Sequence, residues 1–172
     1  MPNWCDCELT VTGDVADLHA FADYIKTDKS DFDFNTIIPY PEKFRELDRI
    51  AYEWDKDNPN NWKDRPKDGF NQGGYEWCIQ NWGTKWNLGN GDWDSVEIDM
   101  LDCEIEPHMT LCFQTAWAPP SPVVLEASIM FPTLTFKLEY YEGGMGFQGK
   151  YVASAGEVVC DLEGEYTGYR GG

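Results

Sequence analysis

Seven consecutive residues, Asn81-Trp82-Gly83-Thr84-Lys85-Trp86-Asn87, bring together groups that commonly do recognition chemistry. The indole planes of Trp82 and Trp86 can stack on a flat ring, Lys85 can meet an anionic group, and Asn81 and Asn87 offer paired donors and acceptors. Such a set could hold a nucleotide. The same residues also read as architecture. In that reading Trp82 and Trp86 bury in a seam, Gly83 supplies a left-handed turn and the asparagines tie off backbone groups. Trp117, in TAWAPPSPV, reads as an aromatic plug on a rigid strand-to-helix connection. If both blocks fall at one end of a sheet, Trp117 joins Asn81, Trp82, Lys85, Trp86 and Asn87 in one aromatic pocket.

A second constellation is acidic. Asp92, Asp94, Glu97, Asp99, Asp102, Glu104 and Glu106 fall within fifteen residues that contain no Lys or Arg. With Glu97 and Asp99 on the wet side of a strand, and Asp102, Glu104 and Glu106 continuing past a bend, these carboxylates would form a spaced row. Such a row can imitate a phosphate backbone to a basic protein groove. It can equally be a solvated face, or charge that guards a sheet edge.

Other chemistry is thinly represented. His19 and His108 sit in no nucleophile or metal pattern, and G-x-S-x-G, P-loop and H-E-x-x-H motifs are absent. DKDNPN at 55–60 begins like a calcium loop, with Asp55 and Asp57 at the first and third positions. Pro59 stands at the fifth, however, and Asn60 where the turn glycine belongs. The six cysteines, at 5, 7, 78, 103, 112 and 160, include no C-x-x-C pair, which argues against zinc. The expectation is a non-enzymatic protein with no cofactor and no metal.

The chain has 172 residues and a formal charge of -18, from 31 acidic and 13 basic residues. That balance disfavours direct contact with nucleic acid or with an anionic membrane, and it favours a basic protein partner. The amino terminus lacks the basic start and apolar run of a secretory signal, and no apolar stretch is long enough to span a bilayer. The expected location is cytoplasmic, with reduced thiols.

Periodicity supplies the elements that must position these residues. WCDCELTVT (4–12) alternates as a strand with Cys5, Cys7, Leu9 and Val11 inward. Asp14 and Asp17 mark a weak capping box before a helix on the stripe Val15, Leu18, Phe21, Ala22 and Ile25. SVEIDMLDCEIE (95–106) and HMTLCFQTAW (108–117) form a hairpin, the first with a phase switch that predicts a bulge or bend. Ser121 caps a helix whose first residue is Pro122 and whose buried side is Val123, Val124, Ala127 and Met130. LTFKLEYYE (134–142) and FQGKYVA (147–153) form a second hairpin.

Between the first helix and the first hairpin lies an insertion, about 32–94. It holds an extended FDFNTIIPYP, a helix on Phe44, Leu47, Ala51 and Trp54, and a polar loop at 55–74. A short helix follows, with Tyr75, Cys78, Ile79 and Trp82 on one side and Gly83 as its stop. The class is α+β: a single domain over 1–172 with a ferredoxin-like antiparallel sheet, βαββαβ plus an extra C-terminal strand, and a helical, loop-rich insertion after the first helix.

The blocks MPNWC, FNTIIPYP, GYEWCIQNWGTKWN, FQTAWAPPSPV and LTFKLEYYEGGMGFQG, in this order, resemble the YubB-like proteins of plasmids and phages. The resemblance implies a ferredoxin-like domain and an origin on a mobile element, and it supplies no catalytic residues. Its context implies an acidic counter-defence inhibitor that covers the basic surface of a host protein, such as a nucleic-acid-binding defence component. The alternative is a binder that sequesters a nucleotide signal around residues 81–87.

Overall fold

The computed structural model describes residues 3–59, 61–88, 97–101 and 106–168. Within them, β1 (Trp4–Thr12), β2 (Glu97–Leu101), β3 (His108–Ala116), β4 (Thr135–Glu142), β5 (Phe147–Ser154) and β6 (Glu157–Glu165) form one sheet in the order β2-β3-β1-β4-β5-β6. Every pairing is antiparallel. The first four strands have the ferredoxin-like order, in which each of two crossovers skips one strand, and β5 and β6 extend the sheet beyond β4.

The first crossover carries α1 (Val15–Ile25) and the second carries α5 (Ser121–Met130). Both pack on the face formed by Cys5, Cys7, Leu9 and Val11 of β1 and the buried residues of β3 and β4 beside them. Leu18, Phe21 and Ile25 are the buried stripe of α1, as expected. Phe21 lies edge-on to Phe131 and Phe136, at 5.2 and 5.1 Å. Among the described residues no helix packs on the opposite face of the sheet, and the side chains there alternate into solvent.

The insertion builds α2 (Phe34–Ile37), α3 (Glu42–Asp57), a 3-10 turn at Phe70–Gln72 and α4 (Gly74–Asn81). FDFNTIIPYP is therefore helical in its middle rather than extended throughout. Asp33 accepts the Asn35 backbone N–H at 2.9 Å, a cap strong enough to begin one helical turn. The polar loop after α3 is held by Arg65, which is paired with Asp55 at 2.9 Å and Asp68 at 2.8 Å. Burial alone would raise the Asp68 carboxyl, but the Arg65 guanidinium and Asn71 donors hold it below the usual carboxylate value. Asp55 is thus an ion-pair partner of Arg65.

Several local expectations differ from the structure. Asp14 makes no side-chain cap on α1, and Asp17 instead accepts the Thr133 hydroxyl at 2.7 Å. α5 starts one residue early, at Ser121, because Pro120 takes the non-helical cap position, and Met130 is exposed. Ile79 is also exposed, and the ring that packs inward from α4 is Trp77, which meets Trp82 at 5.2 Å. β6 is a second added strand where one was expected. It hides in the sequence because its hairpin turns on Ala155-Gly156, both with positive φ, without the Asn or Asp that usually announces such a turn. Of the predicted bend in β2, residues 102–105 lie outside the described residues.

Candidate functional site

The residues from Asn81 to Asn87 leave α4 and run to the end of β3. Asn81 closes the helix by donating to the Trp77 carbonyl at 2.9 Å. Trp82 is 3% exposed. Its indole N–H donates to the Ile38 carbonyl at 2.9 Å, and its rings lie within 6.0 Å of Phe34, Tyr40 and Trp77. Gly83 has φ 79°, and a Cβ there would stand 2.8 Å from Pro122 Cδ and 2.9 Å from the Pro119 carbonyl oxygen. Only glycine meets both conditions.

Thr84 is buried and its hydroxyl donates to the Ala116 carbonyl at 2.9 Å, the same carbonyl that accepts the Lys85 backbone N–H at 3.4 Å. This contact joins the insertion to the sheet. Asn87 closes the block by accepting the Phe34 backbone N–H at 2.9 Å and donating to Asp33 at 2.6 Å.

Lys85, Trp86 and Trp117 remain nearer the surface. The Lys85 ammonium stands 4.6 Å from the ring centres of both Trp86 and Trp117, so two cation–π contacts hold it. Trp86 meets Trp4 edge-on at 6.4 Å, and Trp117 meets Tyr75 at 6.3 Å. Trp117 has φ 75°, a conformation few bulky residues adopt, and is 37% exposed. It is a half-open lid on Lys85 rather than a buried plug. The structure thus brings Trp117 and the 81–87 block together and assigns their polar groups: Asn81, Trp82 and Asn87 bind backbone or Asp33, and Lys85 binds rings.

Trp4 occupies the same side of β1 as Asp6 and Glu8, two and four residues on, so the aromatic block borders the helix-free face of the sheet. Register lines up Cys112, Glu8, Glu139, Lys150 and Leu162 across five strands. Glu8 and Glu139 are thus directly opposite each other at the middle of the face. Beside them Asp6 accepts from Gln114 at 2.8 Å, and Lys137 pairs with Glu139 at 2.7 Å. Asp6, Glu8, Gln114, Glu139, Tyr141 and Lys150 line a shallow concavity of about 1010 Å³. On β2, Glu97 pairs in register with Cys112, and Asp99 with Thr110, placing Asp99 on this same face.

Of the predicted acidic row, Asp99 and Glu106 are exposed. Asp92, Asp94, Asp102 and Glu104 lie outside the described residues. Asp6, Glu8 and Glu139 were legible only as the wet sides of two strands, because their meeting depends on the β1–β4 register. Among the described cysteines, Cys5, Cys7 and Cys78 are buried thiols. Burial, with Asp48 adding to it, pushes the Cys78 thiol up to about 12, and a hydrogen bond with Cys7 together with burial raises Cys5. Neither is a ready nucleophile at neutral pH. Among the described residues no group of three His, Cys, Asp or Glu is placed to hold a metal, and no helix is long and apolar enough to cross a membrane.

A crossover-built antiparallel sheet with helices on one face and an open acidic face on the other defines a ferredoxin-like α+β protein. The family model for the ferredoxin-like domain in Api92-like protein matches residues 81–169, just over half of the chain. The chain belongs to that family. The match begins at Asn81, so the aromatic block lies inside it, whereas β1 and α1 precede it. A crystal structure of a protein api92 from Yersinia pseudotuberculosis aligns with a TM-score of 0.55 and 11% identity, covering 99% of this chain and 100% of that one, which shows a shared fold. No curated protein matches the chain.

Proposed function

We propose that the protein is a non-enzymatic binding protein of plasmid or phage origin that acts in the host cytoplasm by covering the basic surface of a host defence protein. The observation that carries this reading is the helix-free sheet face, where Glu8 and Glu139 stand opposite each other with Asp6 and Asp99 on the same side, in a chain of charge -18. Glu139 is paired with Lys137, and Asp6, Glu8 and Asp99 supply the negative charge that a cationic surface would meet, which favours basic partners. The mobile-element origin rests on the YubB-like resemblance of the ordered sequence blocks.

The test is capture from host extract at low salt, with the bound protein identified by mass spectrometry. Changing Glu8→Gln, Asp99→Asn and Glu139→Gln together should abolish capture, and rising salt should release the partner from the unchanged protein. Capture that survives the triple change overturns the proposal.

Nucleotide capture is the second reading, favoured by the partial exposure of Trp86 and Trp117. Its signature is a nucleotide-induced rise in melting temperature that Trp86→Ala removes. It has fewer groups to draw on, since Asn81, Trp82 and Asn87 are committed within the fold.

A further inference from the structure

β6 ends the sheet, and among the described residues no strand pairs with its outer side. A nine-residue edge presents backbone N–H and C=O groups that another extended chain can adopt as a ladder. Cys160 opposes Val152 and Val158 opposes Ala153, so Val159 is the extra residue of a bulge. The bulge divides the edge and leaves 160–165 as its regular part.

Side chains on that part alternate. Asp161, Glu163 and Glu165 oppose Tyr151, Gly149 and Phe147 and share one side. Glu163 accepts the Tyr140 hydroxyl at 3.4 Å, and all three carboxylates are exposed. On the other side Leu162 is 63% exposed, and open space surrounds Gly164. No Lys or Arg occurs in β6. Pairing with a second copy would set carboxylate against carboxylate along one face, which disfavours a self-complementary edge. An extended segment with Lys or Arg at every second position, and an apolar residue over Leu162, satisfies the acids, the leucine and the ladder together.

We infer, on the footing of the basic protein partner proposed above, that the 160–165 edge of β6 docks an extended, alternately basic segment of that partner by strand addition. The register is set by the bulge, which stops the added strand at Val159. Asp161, Glu163 and Glu165 select the positive charges, and Leu162 selects a neighbour that buries against it.

The experiment uses the full chain and an acetylated, amidated heptapeptide, TKTKVKT, with TETEVET as its counterpart. Fluorescence anisotropy should show binding of the lysine peptide only, and hydrogen exchange should show protection of amides in 160–165. Asp161→Lys with Glu165→Lys should weaken binding by about tenfold or more. Asp28→Lys with Glu157→Lys changes net charge equally but lies off this stretch, and should leave binding intact. Melting curves establish that both variants fold.

A lysine peptide N-methylated at alternate amides keeps its charge but cannot form the ladder, and should not bind. Binding of that peptide, equal loss in both double variants, or no binding of TKTKVKT would each overturn the proposal. If TKTKVKT fails while host capture still depends on Glu8, Asp99 and Glu139, the edge is excluded and the basic-partner function stands. If the peptide binds as expected while capture ignores those three residues, the sheet face is excluded and the edge stands.

Discussion

Trp82, inside the 81–87 motif, and Trp117, which meets that motif through Lys85, carry the same side chain, yet they do different work. Trp82 is closed in by Phe34, Tyr40 and Trp77 and spends its indole N–H on the Ile38 carbonyl. Trp117 stands at positive φ with its ring partly in water over Lys85. Trp82→Ala should therefore lower stability by about 3–5 kcal/mol, the range for deleting a buried large aromatic, as read from urea unfolding. A loss below about 1 kcal/mol would mean that the aromatic seam is not part of the core. Both roles were open in the sequence: residue types showed that Trp82 and Lys85 could recognise a ligand, but not that Ile38 and two indole rings already occupy them.

At the scale of elements, Gly83 decides how α4 is joined to α5. Its φ of 79° and the close approach of Pro119 and Pro122 let the chain turn from the helix onto the end of β3. Gly83→Ala should destabilise by more than about 1 kcal/mol, since it introduces both a left-handed penalty and a clash with backbone. Unchanged thermal unfolding would show that the Pro119–Pro122 segment yields. Gly83 as the end of a helix was legible, as were β1, the β2–β3 and β4–β5 hairpins and the stripe of α1, because each repeats its apolar residues at one period. α2 and β6 were not. A single turn held by Asp33 has no period, and the exposed β6 has no buried face to impose one.

Across the whole molecule, 31 acidic residues repel one another against 13 basic ones. Added sodium chloride should screen that repulsion and raise the melting temperature, each 1 kcal/mol of relieved repulsion being worth about 2–4 °C for a chain of this size. The same salt should weaken the grip of the basic partner proposed above, so stability and that binding should move in opposite directions. A melting temperature that falls with salt would mean that ion pairs such as Arg65 with Asp55 and Asp68 outweigh the general repulsion.

The sequence by itself determined the charge, the core-facing side of each periodic element and the ferredoxin-like order of the first four strands, because those follow from local pattern and from the short list of ways such elements connect. Tertiary structure alone decided which groups meet. Glu8 lies opposite Glu139 only through the β1–β4 register, and Lys85 lies between Trp86 and Trp117 only because Thr84 and Lys85 bind the Ala116 carbonyl. The edge at 160–165 likewise exists only because β5 adds to β4 and β6 to β5. A side chain's type fixes what it can bind, while its neighbours, which are distant in sequence, fix whether that capacity is spent within the fold or left facing solvent.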